Sequence, residues 1–339
     1  MTFRILCLDG GGIRGVMTAR ILQKIEQQLG SPLKKHFDLI AGTSTGSILA
    51  IGIGIGKSPK EMLNLYMEKG LQIFPYQSLF SPKRLPIIFK YGFFGPKFSN
   101  QGFMAVLQEQ FGEKKFPDII PDSNRLIDSL KILIPSYDTI SRSPVIFKSW
   151  RHDRWYAKVP LWEICLSSAS APTYFPAHRI EQDGQIYSLI DGGVCAQNPT
   201  ACAVAEAIKL LRKSSNKSIA NLIEQIKVIS IGTGDPAFPI PWEKVQSWGR
   251  FQWALRIADV LMDAPTDIHR YVAEQIISGE ENGSEPNYIR LQLQLPLKKP
   301  LLAMDDARQA NLEAVLKETD AYINQVKIQK KLEKLLTNW

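Results

Sequence analysis

Two short apolar runs, each stopped by glycine and followed at once by a helical pattern, constrain this chain most. The first is FRILCL, Phe3 to Leu8, which runs into DGGGIRG at Asp9 to Gly15. Behind it, Val16, Ala19, Ile21, Leu22, Ile25 and Leu29 recur at helical spacing until Gly30 and Pro32 stop the helix. The second run is FDLIAG, Phe37 to Gly42, which passes through STG into another helix-like apolar stretch. Ser58, Pro59 and Glu61 read as a capping box that launches a further helix. Later strands are read in LKILIPSY, PVIFKSW, QIYSLID, IKVISIG and NYIRLQLQL, with helices in LWEICLSSASA and from Pro199 to Arg212. Parallel strands need a crossover between them, so this alternation predicts an α/β fold. It should have a mostly parallel central sheet with helices on both faces.

The apolar share of 45% is ample for a core, and one large α/β domain can hold 339 residues. Lys213 to Lys217 reads as a surface loop, too short for a domain linker. Four cysteines stand apart at 7, 165, 195 and 202, the pattern of reduced thiols in a cytoplasmic protein. No charged segment leading into an apolar stretch opens the chain, and no apolar run reaches the roughly 18 residues of a membrane span. The expectation is a soluble protein, at most peripheral on a membrane. The net charge of +8 favours an anionic partner without choosing one.

The second strand ends in GTSTG, Gly42 to Gly46. A G-x-S-x-G sequence between a strand and a helix is the setting of a sharp turn that lifts a serine hydroxyl clear of the sheet. The same residues could form a plain glycine-rich turn. Ser44 is the candidate nucleophile, and it needs a base. His36, His152 and His178 occupy no convincing catalytic turn, and His269 lies in an amphipathic helical pattern. LIDGG offers Asp191 instead, at a strand end before Gly192 and Gly193. Asp-Gly is also a common turn dipeptide, so the combination with Ser44 carries the reading.

Gly10, Gly12 and Gly15 satisfy the G-x-G-x-x-G spacing of a dinucleotide-binding turn. That reading wants an acidic residue near the end of the second strand, where AGTSTG stands instead. It would also put Asp9 beside a pyrophosphate. The alternative is an oxyanion hole built from backbone N–H groups of Gly10, Gly11 and Gly12 beside Ser44. A P-loop reading of AIGIGIGKS, Ala50 to Ser58, fails, since its first glycine would be Ile51 and the segment follows a helix rather than a strand.

With DGGGIRG, GTSTG and DGG in this order, the sequence resembles the patatin-like phospholipase family over roughly residues 3–200. SSASAPTYFP, Ser167 to Pro176, is similar to that family's segment before its aspartate. The resemblance implies a three-layer α/β/α fold and a lipid acyl hydrolase with a Ser44–Asp191 dyad, no metal and no cofactor. Arg14, Gly15, Gly42, Gly46, Gly192 and Gly193 match the supporting motif positions, and Arg14 would either neutralise Asp9 or face a lipid phosphate. The implied partners are membrane glycerolipids, phospholipid or galactolipid, met transiently at a membrane surface, and no nucleic acid. SPKEMLNLYMEKGLQIFP is similar to bacterial members that cyclic nucleotides switch on in anti-phage defence, so a cyclic-nucleotide-activated effector is a second reading. A non-catalytic dinucleotide- or lipid-binding protein is a third. Self-association stays open.

The whole chain, 1–339, is expected to be one domain with two appendages. The first, at about 71–98, is a proline- and aromatic-rich flap facing the membrane. Its SPKRLPIIFKYGFFGPKF carries Lys83, Arg84, Lys90 and Lys97 among Phe89, Tyr91, Phe93, Phe94 and Phe98, with no acidic residue. Packing on the protein's own core is the competing expectation. The second is one long helix from about Asp305 to Trp339, with an apolar stripe suited to docking, to pairing or to an in-plane anchor.

Overall fold

The computed structural model describes residues 2–119, 129–214, 218–234, 240–278, 287–295 and 303–337. Ser215 to Lys217 of the expected surface loop lie outside them, as do Trp339 and the side chain of Leu335 in the C-terminal stripe.

Among the described residues, eight strands form one sheet: β1 (Phe3–Leu8), β2 (Leu39–Gly42), β3 (Lys131–Asp138), β4 (Ser143–Lys148), β5 (His178–Gln182), β6 (Gln185–Asp191), β7 (Ile226–Ile231) and β8 (Tyr288–Leu291). β3, β2, β1, β7 and β8 run parallel in that order, while β4 and β6 pair antiparallel with β3, and β5 with β6. The sheet is therefore mostly parallel, with an antiparallel wing.

Its two faces follow from the period of two along each strand. Leu6 and Leu8 of β1 enter one core with Val16 and Leu22 of α1 (Gly15–Leu29), Ile48 and Leu49 of α2 (Thr45–Gly54), and Met62 and Leu65 of α3 (Pro59–Ile73). Ile5 and Cys7 of the same strand enter the other core. Their neighbours there come from helices further along the chain. α4 (Leu85–Tyr91), α5 (Gln101–Phe111), α6 (Phe116–Ile119), α7 (Leu161–Ala169) and α8 (Gly193–Ala196) precede α9 (Thr200–Ser214), α10 (Ile219–Ile223), α11 (Trp242–Val245) and α12 (Arg250–Ile277). Ala203 and Val204 of α9, Leu222 of α10, and Ala273 and Ile277 of α12 complete that second core. Helix, sheet, helix is a three-layer α/β/α arrangement.

Local signals set the helix limits. Gly30 ends α1 in the left-handed region at φ 69°, and its N–H closes on the Glu26 carbonyl. Ser58 and Glu61 cap α3 reciprocally, with Pro59 at the first helical position. The C-terminal segment departs from the single helix read in the sequence. It forms α13 (Gln309–Ile323) and α14 (Val326–Thr337), separated at Asn324 and Gln325. Leu312, Val315, Tyr322 and Ile323 of α13 are buried in the first core, as are Ile328 and Leu332 of α14. Arg20 of α1 donates to the Asp320 carboxylate at 2.7 Å. The stripe is thus used for docking on α1.

β3 explains how distant turns meet. Leu133 pairs with both Ala41 of β2 and Lys148 of β4, so those strands lie on opposite edges of β3. Ser136 pairs with both Val145 of β4 and Asp191 of β6, so β6 shares the β2 edge. β2 and β6 therefore lie end to end along one edge of β3, and their final residues point at each other.

Candidate active site

The turn after β2 is too tight for side chains at its flanks. A Cβ on Gly42 would come within 2.1 Å of the Gly46 carbonyl oxygen, and one on Gly46 within 2.2 Å of the Leu8 carbonyl oxygen. Between them Ser44 holds φ 54° and ψ −121°, a conformation that L residues avoid. Surrounding bonds over-determine it. The Ser44 N–H donates to the Ser168 hydroxyl at 3.0 Å, and the Ser47 hydroxyl donates to the Ser44 carbonyl at 2.6 Å. The Thr43 hydroxyl donates to the Ala196 carbonyl at 2.6 Å.

The second turn, after β6, is held by the same residues. The end of α7 and the residue beyond it accept its backbone: Gly192 N–H donates to the Ser168 carbonyl and Asp191 N–H to the Ser170 carbonyl, both at 3.0 Å. The Ser168 hydroxyl in turn donates to the Pro135 carbonyl at 2.6 Å. Ser168 thus touches both turns, through its hydroxyl on one side and its carbonyl on the other.

Ser44 and Asp191, 147 residues apart, meet directly: the serine hydroxyl donates to Asp191 Oδ2 at 2.6 Å. Oδ1 of the same carboxylate accepts the Gly193 N–H at 2.7 Å. Asp191 is fully buried and Ser44 is 7% exposed. Burial pushes the Asp191 carboxyl up from 3.8 to about 7, against the pull of its bonds to Ser44 and Gly193. A carboxylate with that value is poised to accept a proton near neutral pH.

The glycine loop after β1 lies beside α2, since the Leu8 carbonyl is the atom that excludes a side chain at Gly46. Gly10 N–H is already engaged by the Gln197 carbonyl at 3.1 Å, and the Gly10 carbonyl accepts the Thr233 hydroxyl at 2.6 Å. Of the three N–H groups expected to receive an oxyanion, only those of Gly11 and Gly12 have no acceptor among the described residues. Gly12 takes φ 58°, and a Cβ there would meet the Met304 carbonyl at 2.2 Å. At Gly15, a Cβ would meet the Thr45 hydroxyl at 2.2 Å, so this motif glycine serves the packing of α1 on α2.

Neutralisation of Asp9 falls to a residue that the sequence did not point to. Arg290 of β8 forms a buried ion pair with the Asp9 carboxylate and donates to the Ser230 hydroxyl at 2.8 Å. Arg14 is buried, and its Nη1 reaches the Gly234 carbonyl at 3.4 Å. Three of the four histidines have partners elsewhere: His36 at Ser31, His178 at Glu163, and His269 at the Asn198 carbonyl. Among the described residues no group of three or more His, Cys, Asp or Glu side chains is arranged to hold a metal ion, and no helix is long and apolar enough to cross a membrane.

The chain is similar to several known proteins. A family model described as patatin-like phospholipase matches residues 6–204, the stretch that holds both turns and the glycine loop. Patatin-08 of Solanum tuberosum is 31% identical over 92% of this chain and 81% of its own length. Patatin-like protein 3 of Arabidopsis thaliana is 29% identical over 94% of this chain and 80% of its own. Among solved structures, VipD from Legionella pneumophila aligns with 95% of this chain and 67% of its own at a TM-score of 0.42 and 11% identity, too slight a likeness to add weight.

Proposed function

The chain belongs to the patatin-like phospholipase family, and from that premise we propose that it is a lipid acyl hydrolase in which Ser44 and Asp191 act as a catalytic dyad. Its substrates are the carboxylic esters of membrane phospholipids or galactolipids. The observation that carries the reading is the 2.6 Å hydrogen bond from a serine in a strained turn to a fully buried carboxylate.

The chemistry runs in two halves. Asp191 Oδ2 takes the Ser44 proton as Oγ attacks the ester carbonyl carbon, and the carbonyl π electrons move onto oxygen. Gly11 and Gly12 N–H groups receive that oxyanion, each good donor lowering the barrier by about 3 kcal/mol. When the intermediate collapses, the C–O bond to the lipid alcohol breaks, and the leaving oxygen takes the proton from Asp191. A water then gives its proton to Asp191 and attacks the acyl-serine, releasing the fatty acid and restoring Ser44.

Proton transfer needs no histidine here, because burial raises the carboxyl to about 7. A fluorophosphonate probe tests the nucleophile. Purified protein should be labelled on the peptide containing Ser44, and labelling should vanish in Ser44→Ala. Label on another residue, or none on folded protein, overturns the assignment. Product analysis of phospholipid and galactolipid vesicles then identifies the ester class.

A further inference from the structure

Aromatic side chains on a globular surface normally fold back onto the core. In residues 79–94 they do not. Phe80, Phe89 and Phe94 are 84%, 88% and 99% exposed, and Leu79, Leu85, Tyr91 and Phe93 in the same segment are each about half-exposed. So many exposed apolar side chains within sixteen residues mark an interaction site.

The segment is built to keep that surface outward. Arg84 is 3% exposed, and its Nη2 donates to the Phe93 and Gly95 carbonyls at 3.0 Å each. Its Nη1 reaches the Leu79 carbonyl at 3.4 Å. Arg84 is therefore an internal staple across both ends of α4, and the expectation that it faces lipid is corrected. Lys97 likewise pairs with Asp305, and Phe98 is fully buried against Phe74, Tyr76 and Phe175. The cations left exposed among the phenylalanines are Lys83 and Lys90.

The platform is anchored to the site. Lys97 and Phe98 N–H groups donate to the Thr173 and Tyr174 carbonyls at 2.8 Å each. Those residues continue the chain from Ser168 and Ser170, which hold the two turns.

We propose that residues 79–94 form the surface by which this protein docks on an anionic lipid bilayer, with Phe80, Phe89 and Phe94 entering the headgroup region and Lys83 and Lys90 meeting lipid phosphates. Charge selects this occupant. No Asp or Glu occurs from Gly70 to Gln108, so the face complements an anionic sheet. Aromatic rings flanked by lysines suit the interface between water and acyl chains. A second copy of the chain would bring an equally basic face, with no acidic residue of its own, against this one, which like-charge repulsion disfavours. The proposal deepens the lipid hydrolase reading and rests on it for the reason to be at a membrane, yet binding can be measured without turnover.

The test is vesicle flotation with the full chain, using phosphatidylcholine alone and phosphatidylcholine mixed with phosphatidylglycerol. Wild type should bind the anionic vesicles, less so in high salt. Lys83→Ala with Lys90→Ala should weaken binding by roughly thirtyfold. Phe89→Ser with Phe94→Ser should weaken it about tenfold or more, while hydrolysis of a soluble short-chain ester stays at the wild-type rate. Variants that bind vesicles like wild type overturn the docking surface, whatever the esterase rate. If the phenylalanine variant instead loses a dimer mass and keeps vesicle affinity, the face belongs to a second copy and the proposal fails. Vesicle binding with this variant pattern, in a protein without esterase activity, upholds the docking surface and overturns the hydrolase reading.

Discussion

Asp191 carries two opposed demands. As the proposed base it must be ionised, yet it is buried without a cation among its hydrogen-bond partners. Hydrolysis of a soluble ester is therefore expected to rise with pH, with kcat/KM inflecting near pH 7 where the carboxyl ionises. Stability should move the other way. The folded value of about 7 lies above the 3.8 of the unfolded chain, so the native state holds a proton that the unfolded state has lost between those values. Stability is full below about pH 4 on this group's account and falls as pH rises through 7, by up to about 4 kcal/mol. Asp191→Asn abolishes that dependence, so urea denaturation at pH 5 and at pH 8 should show the variant gaining on wild type at the higher pH. Parallel pH profiles would refute this. Ser44 and Asp191 were legible as candidates because a strand end followed by glycine is a local signal. Arg290 was not, because its partner Asp9 lies 281 residues away and nothing in YIRLQL marks it.

At the scale of elements, the end of α7 holds the two turns in register. Ser168→Ala removes the acceptor of the Ser44 N–H while leaving the Ser168 carbonyl bond to Gly192 in place. The strained Ser44 backbone then loses one restraint. We expect kcat to drop by about tenfold to a hundredfold with KM little changed, and Ser168→Thr, which keeps a hydroxyl, to restore most of it. An equal rise in KM, or failure of the threonine to rescue, would mean a general packing defect. SSASAPTYFP stood out in the sequence by resemblance, but its task did not, because the end-to-end abutment of β2 and β6 arises only from pairing with β3. β5 also escaped the sequence reading. His178 to Gln182 alternates buried and exposed positions over five residues only, too short a run to separate from a loop. The C-terminal helix pattern was legible, and its break at Asn324 was not, because neither Asn324 nor Gln325 is a helix breaker.

Across the whole molecule, several long-range ties hold the C-terminal third to the rest of the chain, and two of them are open to direct test. Asp9 and Arg290 link the end of β1 to β8 in a buried pair. Arg290→Met strands the carboxylate and should cost about 3–5 kcal/mol, whereas the double change to apolar residues should cost less. Denaturant midpoints of the single and double variants measure this, and a double variant as unstable as the single would contradict it. The second tie is α14, whose Ile328 and Leu332 sit in the first core and whose Lys331 donates to the Arg290 carbonyl at 3.1 Å. Removing the chain from Asn324 onward should lower the melting temperature, at about 2 kcal/mol for each large apolar side chain withdrawn, and leave vesicle affinity unchanged at equal folded concentration. Loss of vesicle binding without loss of stability would instead make α14 a membrane anchor. The alternation of strand and helix made the layers legible, because the period of two within FRILCL already assigns Leu6 and Leu8 to one face and Ile5 and Cys7 to the other.

The central claim is that Ser44 and Asp191 act as one unit. It is tested most directly by kcat/KM for ester hydrolysis in purified, folded wild type, Ser44→Ala, Asp191→Asn and the double variant. Each single change should cost on the order of a thousandfold or more, and the double variant should be hardly worse than either single. Substantial turnover in either single variant, or losses that multiply in the double, would contradict the dyad.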